Sequence, residues 1–370
     1  MINQKIELIF FLPNFGSGGA GKSVTELCEG IDKKKFNITI ICLSKCFYKN
    51  RLSRVCKKIY ELDVNKTLYA QIIIYKILRL EFKDFKKVIF ISNLYYCNAL
   101  TLLVQKKLKN VRYIVTERTP FQELSIYFGF LDFIKKKIIK LILKLFYHKA
   151  DLIITNSKQT RDDIRLFSGS RVVSIYPSSY KKNLTKKNNV HVDKKKIILS
   201  VGRLSKEKGF DILIRSIPYI NYDNFLIKIV GDGPEKKNLI NLSKKLGVNK
   251  KIIFLGGKKE NVILRYYSES SLFISPSYFE GFPNAVIEAL SANLPVICSN
   301  SYGGIKEILL DGKGGCIFKN SDYQDLADKI NLFFKDPKLF INRTRFIKKY
   351  ISKFSLANTV KNYEKVFLSI

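Results

Sequence analysis

The sequence predicts an α/β protein of two domains, each built on a doubly wound parallel sheet. Three observations carry this. The chain has 370 residues, roughly two to three times a usual single domain. Hydrophobic residues make up 46% of it, enough to fill packed cores. Short apolar runs alternate with longer helical patterns, the order that βαβ units require.

The first series of predicted strands is Lys5–Leu12, Asn37–Leu43, Lys87–Ser92, Arg112–Thr116, Leu152–Thr155 and Arg171–Tyr176. A second comprises Lys196–Gly202, Leu226–Val230, Lys251–Leu255, Leu272–Ser275, Pro295–Ser299 and Gly315–Phe318. Helical spacing falls between them at Ser23–Ile31, Phe210–Ile217, Lys236–Lys245 and Asn284–Ser291. The polar stretch Tyr180–Lys196 has little to bury and reads as a linker. We therefore expect domains at 1–185 and 186–345, with 346–370 as a helical tail packing back on the first domain. Helical character in the tail begins near Phe340 and runs to Phe367.

Val88–Gln105 lacks charge, but Ser92, Asn93, Asn98 and Thr101 interrupt it, so strand, loop and helix explain it better than a membrane span. The N-terminal apolar run carries Glu7 and no small-residue cleavage site follows, unlike a signal peptide. Seven Cys form no CxxC pair, and with only His148 and His191 they offer no zinc set or disulfide framework. A reducing cytoplasm fits best. Net charge is +35, and residues 1–190 hold 36 Lys and Arg against 14 Asp and Glu. Nucleic acid, an anionic membrane with an anionic donor, and Lys-rich composition all compete for that charge. No nucleic-acid module appears, so no nucleic-acid partner is expected.

Four motifs follow one another in the second half. Gly202-Arg-Leu-Ser-Lys-Glu-Lys-Gly209 comes directly after an apolar strand. Arg203 and Lys208 therefore stand where doubly wound sheets bind ligands, and two cations there can neutralise a diphosphate leaving group. Gly231-Asp-Gly-Pro-Glu235 reads as a tight turn, in which Gly231 and Gly233 free the backbone and Pro234 opens a helix. Phe279-Glu-Gly-Phe-Pro-Asn-Ala-Val-Ile-Glu288 places Glu280 in a loop and Glu288 inside a helix. An acid in such a helix can accept ribose hydroxyls; a plain surface Glu is the alternative. Gly303-Gly-Ile-Lys-Glu307 either admits a ligand to the backbone or merely links strand and helix.

Together these motifs resemble the family 4 glycosyltransferases of the GT-B fold, over essentially the whole chain. The family's "RLxxEKG", "GxGP" and "EGFPNxxxEA" stretches match Arg203–Gly209, Gly231–Pro234 and Glu280–Ala289. The resemblance implies two Rossmann-like domains facing a central cleft, and retaining transfer of a hexose or N-acetylhexosamine from a nucleotide sugar. It implies that Arg203 and Lys208 bind the donor diphosphate, with Glu280 on the sugar and Glu288 on the ribose. Phe282, Pro283 and Asn284 complete the donor loop, whose Asn284 form looks like that of UDP-sugar enzymes. No metal or other cofactor is implied. Glycan or polyprenyl-diphosphate-linked acceptors of surface polysaccharide synthesis are the implied partners.

Gly16-Ser-Gly-Gly-Ala-Gly-Lys-Ser23 satisfies the Walker A pattern after a strand and before a helix. A P-loop NTPase is the rival, but it wants an apolar strand ending in an Asp for magnesium, and neither Lys87–Ser92 nor Leu152–Thr155 supplies one. A nucleotide-sugar epimerase and a non-catalytic sugar-nucleotide sensor are further alternatives. The family's "GGAER" loop matches Gly18, Gly19 and Ala20, with Gly21-Lys22 replacing its Glu-Arg. By the resemblance, Gly18 and Gly19 close over the donor phosphates. Many members place a His after the third strand, where this chain has Ser92-Asn93-Leu94. Thr116-Glu117-Arg118-Thr119-Pro120 is similar to an acceptor-side "SERxxP", giving Asn93, Glu117 and Arg118 an acceptor role.

Phe130–Tyr147 reads as a basic amphipathic helix. Lys136, Lys137, Lys140 and Lys144 fall within an arc of ~100°, and Phe133, Ile134, Ile138, Ile139, Ile142 and Phe146 fill much of the rest. Such helices lie in anionic membrane interfaces, so the enzyme is expected at the inner face of the cell membrane. A domain helix with a solvated Lys stripe is the alternative.

Overall fold

The computed structural model describes residues 5–13, 19–64, 67–104, 108–125, 127, 129–182, 184 and 196–370. The chain forms two compact units, Met1–Ser178 with Leu356–Ile370, and Ser179–Ser355.

Unit 1 begins β1 (Ile6–Leu12), α1 (Gly19–Gly30), β2 (Phe36–Cys42), α2 (Lys49–Leu52), β3 (Lys58–Glu61) and α3 (Thr67–Glu81). It continues β4 (Val88–Asn93), α4 (Tyr95–Val104), β5 (Val111–Glu117), α5 (Phe130–Phe146), β6 (Leu152–Thr155), α6 (Lys158–Ser168) and β7 (Val172–Ser174). The strands form one sheet in the order β3-β2-β1-β4-β5-β6-β7, with every pairing parallel. Helices cover both faces, so the central strands are buried on both sides. β4 is buried at all six positions, which is why it reads as a continuous apolar run. The chain turns from β4 into α4 through Leu94, at φ +74. That accounts for the uncharged stretch at 88–105; among the described residues no helix is long and apolar enough to cross a membrane.

Unit 2 runs β8 (Lys196–Val201), α7 (Phe210–Ser216), β9 (Phe225–Val230), α8 (Lys236–Lys245), β10 (Ile252–Gly256), α9 (Glu260–Glu269), β11 (Leu272–Ser275) and β12 (Phe279–Glu280). It closes with α10 (Asn284–Ser291), β13 (Val296–Ser299), β14 (Tyr302–Gly303), α11 (Ile305–Leu309), β15 (Cys316–Phe318), α12 (Tyr323–Lys335) and α13 (Pro337–Ile351). Its main sheet is ordered β10-β9-β8-β11-β13-β15, and β12 pairs separately with β14. These pairings too are parallel. Each unit therefore has the doubly wound order in which the sequence reverses direction beside its first strand, between β1 and β4 and between β8 and β11.

The tail forms two helices rather than one. α13 starts at an Asp336 cap whose side chain accepts from the Leu339 N–H, and buries Phe340, Ile347 and Ile351 in unit 2. After Ser352–Ser355, α14 (Leu356–Ser369) joins unit 1, where Tyr363 and Phe367 enter its core. Gly30 on α1 lets α14 approach, because a Cβ there would stand 2.6 Å from the Val360 side chain.

Candidate active site

In unit 2 the sheet reverses between β8 and β11, and the loops after those strands meet there. Gly209 holds φ +62, and a Cβ on it would stand 2.1 Å from the Pro276 carbonyl oxygen just past β11. The loop 202–209 is thus pressed against the segment that leads to Glu280. Across this contact Lys208 Nζ pairs with Glu280 Oε2, with both side chains partly open to solvent. The Tyr278 N–H donates to the Glu207 carbonyl at 2.9 Å, tying the same two segments by backbone. Arg203, earlier in the loop, is exposed, and among the described residues its guanidinium has no hydrogen bond or ion pair.

The glycines of the other motifs serve this loop. Gly231 lies at φ +147, where a Cβ would come 1.8 Å from the Gly202 carbonyl oxygen. Gly233 packs against the Leu204 backbone in the same way, at 2.4 Å. The Leu204 N–H donates to the Asp232 carbonyl, and the Glu235 N–H to the Leu204 carbonyl. Gly303, at φ +119, would place a Cβ 1.7 Å from the Glu280 carbonyl oxygen. Gly304 donates its N–H to Gly281 at 3.0 Å. The pair links strand and helix, as one of the two readings had it, with Gly303 ending β14 and Gly304 preceding α11, and it also receives the backbone of Glu280.

The rest of the Phe279–Glu288 motif is anchored by residues that sequence reasoning did not name. Phe282 is buried edge-on to Phe354, with centroids 5.2 Å apart. Pro283 precedes α10, and Asn284 Oδ1 accepts from Ser179 Oγ at 2.6 Å. Glu288, one turn into α10, accepts from Tyr267 OH at 3.1 Å. Burial, and after it the Glu288 carboxylate, push the Tyr267 phenol up, so it stays a proton donor. Ser179, Tyr267 and Phe354 lie far from the motif in sequence, and no local pattern marks them.

In unit 1 the second reversal gathers the acceptor-side candidates. Asn93 ends β4 and donates from Nδ2 to the Phe11 carbonyl of β1, at 3.2 Å. Its Oδ1 accepts from Thr116 Oγ1 at 2.6 Å and from two Arg118 nitrogens at 3.2 Å. Arg118 lines a small recess with Ser23, Thr155, Asn156 and Tyr363. Burial draws its guanidinium below the usual value. Glu117 turns the other way: its Oε1 accepts from Asn98 and Tyr147. Burial, partly offset by Asn98, pushes this carboxyl up to about 8. The structure thus joins Asn93 and Arg118 and sends the Glu117 carboxylate inward. Gly18, with residues 14–17, lies outside the described residues; Gly19 opens α1.

Two family models match the chain: Glycosyltransferase Family 4 over residues 17–178 and Glycosyl transferases group 1 over residues 181–352. A Campylobacter jejuni N-acetylgalactosamine-N,N'-diacetylbacillosaminyl-diphospho-undecaprenol 4-alpha-N-acetylgalactosaminyltransferase is 28% identical, covering 96% of this chain and 99% of its own length. A second enzyme from that organism, a GalNAc-alpha-(1->4)-GalNAc-alpha-(1->3)-diNAcBac-PP-undecaprenol alpha-1,4-N-acetyl-D-galactosaminyltransferase, is 22% identical over 99% of both chains. Among solved structures, sucrose-phosphate synthase from Thermosynechococcus elongatus superposes with a TM-score of 0.82 at 17% identity, covering 99% of this chain and all of that one. Anabaena HepE in complex with UDP and glucose gives 0.79 at 16%, covering 98% of this chain and all of that one.

Proposed function

The chain belongs to the glycosyltransferases, a family 4 part followed by a group 1 part, and from that we propose a retaining hexosyl- or N-acetylhexosaminyltransferase. Its donor is a UDP-sugar and its acceptor a glycan or lipid-linked glycan of surface polysaccharide synthesis. The Lys208–Glu280 pair at the strand reversal, with Arg203 nearby in sequence and without a side-chain partner among the described residues, is the observation that carries this reading. A donor diphosphate draws Lys208 off Glu280 and frees that carboxylate for the sugar hydroxyls. Arg203 and Lys208 then stabilise the charge that grows on the leaving diphosphate. Glu288, oriented by Tyr267, takes the ribose hydroxyls. The glycine turns at 231–233 and 303–304 fix these loops before the donor arrives. The needed cations are side chains, so the scheme uses no metal or other cofactor. On the acceptor side Arg118 presents its guanidinium, positioned by the buried Asn93, and Glu117 holds its strand end in place.

The acceptor reaches the enzyme at an anionic membrane, at the inner face of the cell membrane. The outer face of α5 supports this. Phe130 and Leu131 are 76% and 83% exposed, and Ile134, Ile138, Leu141 and Leu145 continue the apolar face. Lys137, Lys140 and Lys144 flank it on one side and Lys135 on the other. Lys136 does not belong to this fringe, because it is buried and its ammonium lies 3.0 Å from Asp132.

A panel of UDP-sugars with lipid-linked acceptors, read by release of nucleoside diphosphate and by the anomeric configuration of the product, tests the reading. Acceptor-dependent release with an α-linked product is expected from an α-linked donor. Magnesium-dependent ATP hydrolysis, lost in Lys22→Ala, would instead favour the P-loop rival.

A further inference from the structure

The polar stretch that starts at Tyr180 reads as a linker, yet residues 179–181 are built into unit 2. The Ser179 and Tyr180 N–H groups both donate to the Phe354 carbonyl, at 3.0 and 3.1 Å. Phe354 is the residue whose ring packs edge-on against Phe282. The Lys181 N–H donates to Ser291 Oγ at 3.2 Å, and the Lys181 ammonium lies 3.0 Å from Glu260. Glu260 opens α9 and Ser291 ends α10. This short segment therefore braces the two helices that carry Tyr267 and Glu288.

One contact of the segment fixes a side chain at the candidate site. Ser179 Oγ donates to Asn284 Oδ1 at 2.6 Å. That distance lies inside the ~2.5–3.0 Å range of O–H···O bonds and below the ~2.7–3.2 Å of N–H···O bonds. It therefore supports an amide with its oxygen, not its nitrogen, toward Ser179. Ser179 is 1% exposed, so water does not compete for its hydroxyl. Asn284 is half-buried and opens α10, between the Glu280 that pairs with Lys208 and the Glu288 held by Tyr267. A free carboxamide turns about its last torsion and offers either end. With the oxygen taken, Asn284 offers a ligand chiefly Nδ2, which only donates.

We propose that Ser179 is a positioning residue for donor recognition: it locks the Asn284 carboxamide so that Nδ2 is presented to an oxygen of the nucleotide sugar; this rests on the donor reading above. Ser179 touches no substrate and acts through Asn284. The lock is set by folding, so the amide is already oriented when the donor arrives and loses little freedom on binding. A segment that reads as a plain linker thus takes part in choosing the donor.

KM for the nucleotide sugar and KM for the acceptor are measured separately on the full chain, with folding followed by urea unfolding. Ser179→Ala is expected to raise donor KM about fivefold, the net worth of about one hydrogen bond, with acceptor KM and kcat near wild type. Asn284→Ala should match or exceed that rise. Adding Ser179→Ala to it should cost nothing more, since the hydroxyl has lost its target. Asn284→Asp keeps an oxygen for Ser179 but removes the N–H donor, and should also raise donor KM. Ser291→Ala removes the Lys181 anchor on the same helix and should leave donor KM near wild type. Unchanged donor KM in Ser179→Ala or in Asn284→Asp would overturn the lock while leaving the transferase reading standing. So would losses that multiply in the double variant, or a rise shared with Ser291→Ala. A wild-type enzyme that consumes no nucleotide sugar would overturn both.

Discussion

Glu117 and Glu280 each end a β-strand, yet their carboxyls meet different surroundings. Glu280 is partly open and paired with Lys208; Glu117 is buried among Asn98 and Tyr147, and burial pushes it up to about 8. The folded chain thus keeps a proton that the unfolded chain releases near pH 4.5. Stability from this group is fully present below about pH 4.5 and is lost as pH rises through about 8, by about 1.4 kcal/mol per pH unit across that window. Glu117→Gln retains an oxygen for both donors and should flatten the slope; urea unfolding from about pH 5 to 8 checks this, and an unchanged slope would place the proton elsewhere. The sequence marks Glu117 only as an acid after a strand. Its burial is set by Tyr147, thirty residues on, which no local pattern ties to it. The cations are different: Arg203 and Lys208 are legible because a strand, a loop and a closing glycine fix where they stand.

The long apolar strands were legible because burial on both faces leaves a continuous signal, whereas helices such as α3 and α12 were not named from the sequence. Three short strands were not. β3 is an edge strand reading Lys-Ile-Tyr-Glu, with no position fully buried. β12 and β14 have two residues each and exist because Gly303 admits the Glu280 backbone. Gly303→Ala should therefore displace β12, costing about 1–3 kcal/mol in stability and lowering turnover, read by urea unfolding and donor release together. Wild-type behaviour in both would remove the clamp from the account. In α5 the amphipathic pattern was readable, but not which lysines face outward, since a helical arc does not show what packs against it. Lys137, Lys140 and Lys144 changed together to Gln should weaken sedimentation with anionic vesicles, each Lys counting about 1 kcal/mol at low salt. Lys136→Gln should leave vesicle binding unchanged and lower stability, because it strips a buried partner from Asp132. The reverse pattern would contradict the assigned faces.

At the scale of the molecule, two doubly wound units were visible in the alternation of runs and in the polar stretch near 180–196. The crossing of the tail was less so, since α13 and α14 share one helical periodicity and differ only in which core receives them. Phe367 is fully buried in unit 1 and lies edge-on to Phe10 and Phe36, at 6.4 and 6.0 Å between centroids. Phe367→Ala should cost about 3–5 kcal/mol, seen as earlier urea unfolding; a shift under ~1 kcal/mol would mean that α14 contributes little to that core. The reading proposed above gives this architecture one use, a diphosphate leaving group met by fixed cations at a sheet reversal. Steady-state turnover of a UDP-sugar by Arg203→Ala, with folding checked by urea unfolding, tests that most directly. The account expects a loss of at least ~100-fold in kcat, the scale of removing one charge-stabilising donor, with stability unchanged at this exposed position. Wild-type turnover in a folded Arg203→Ala enzyme would contradict it.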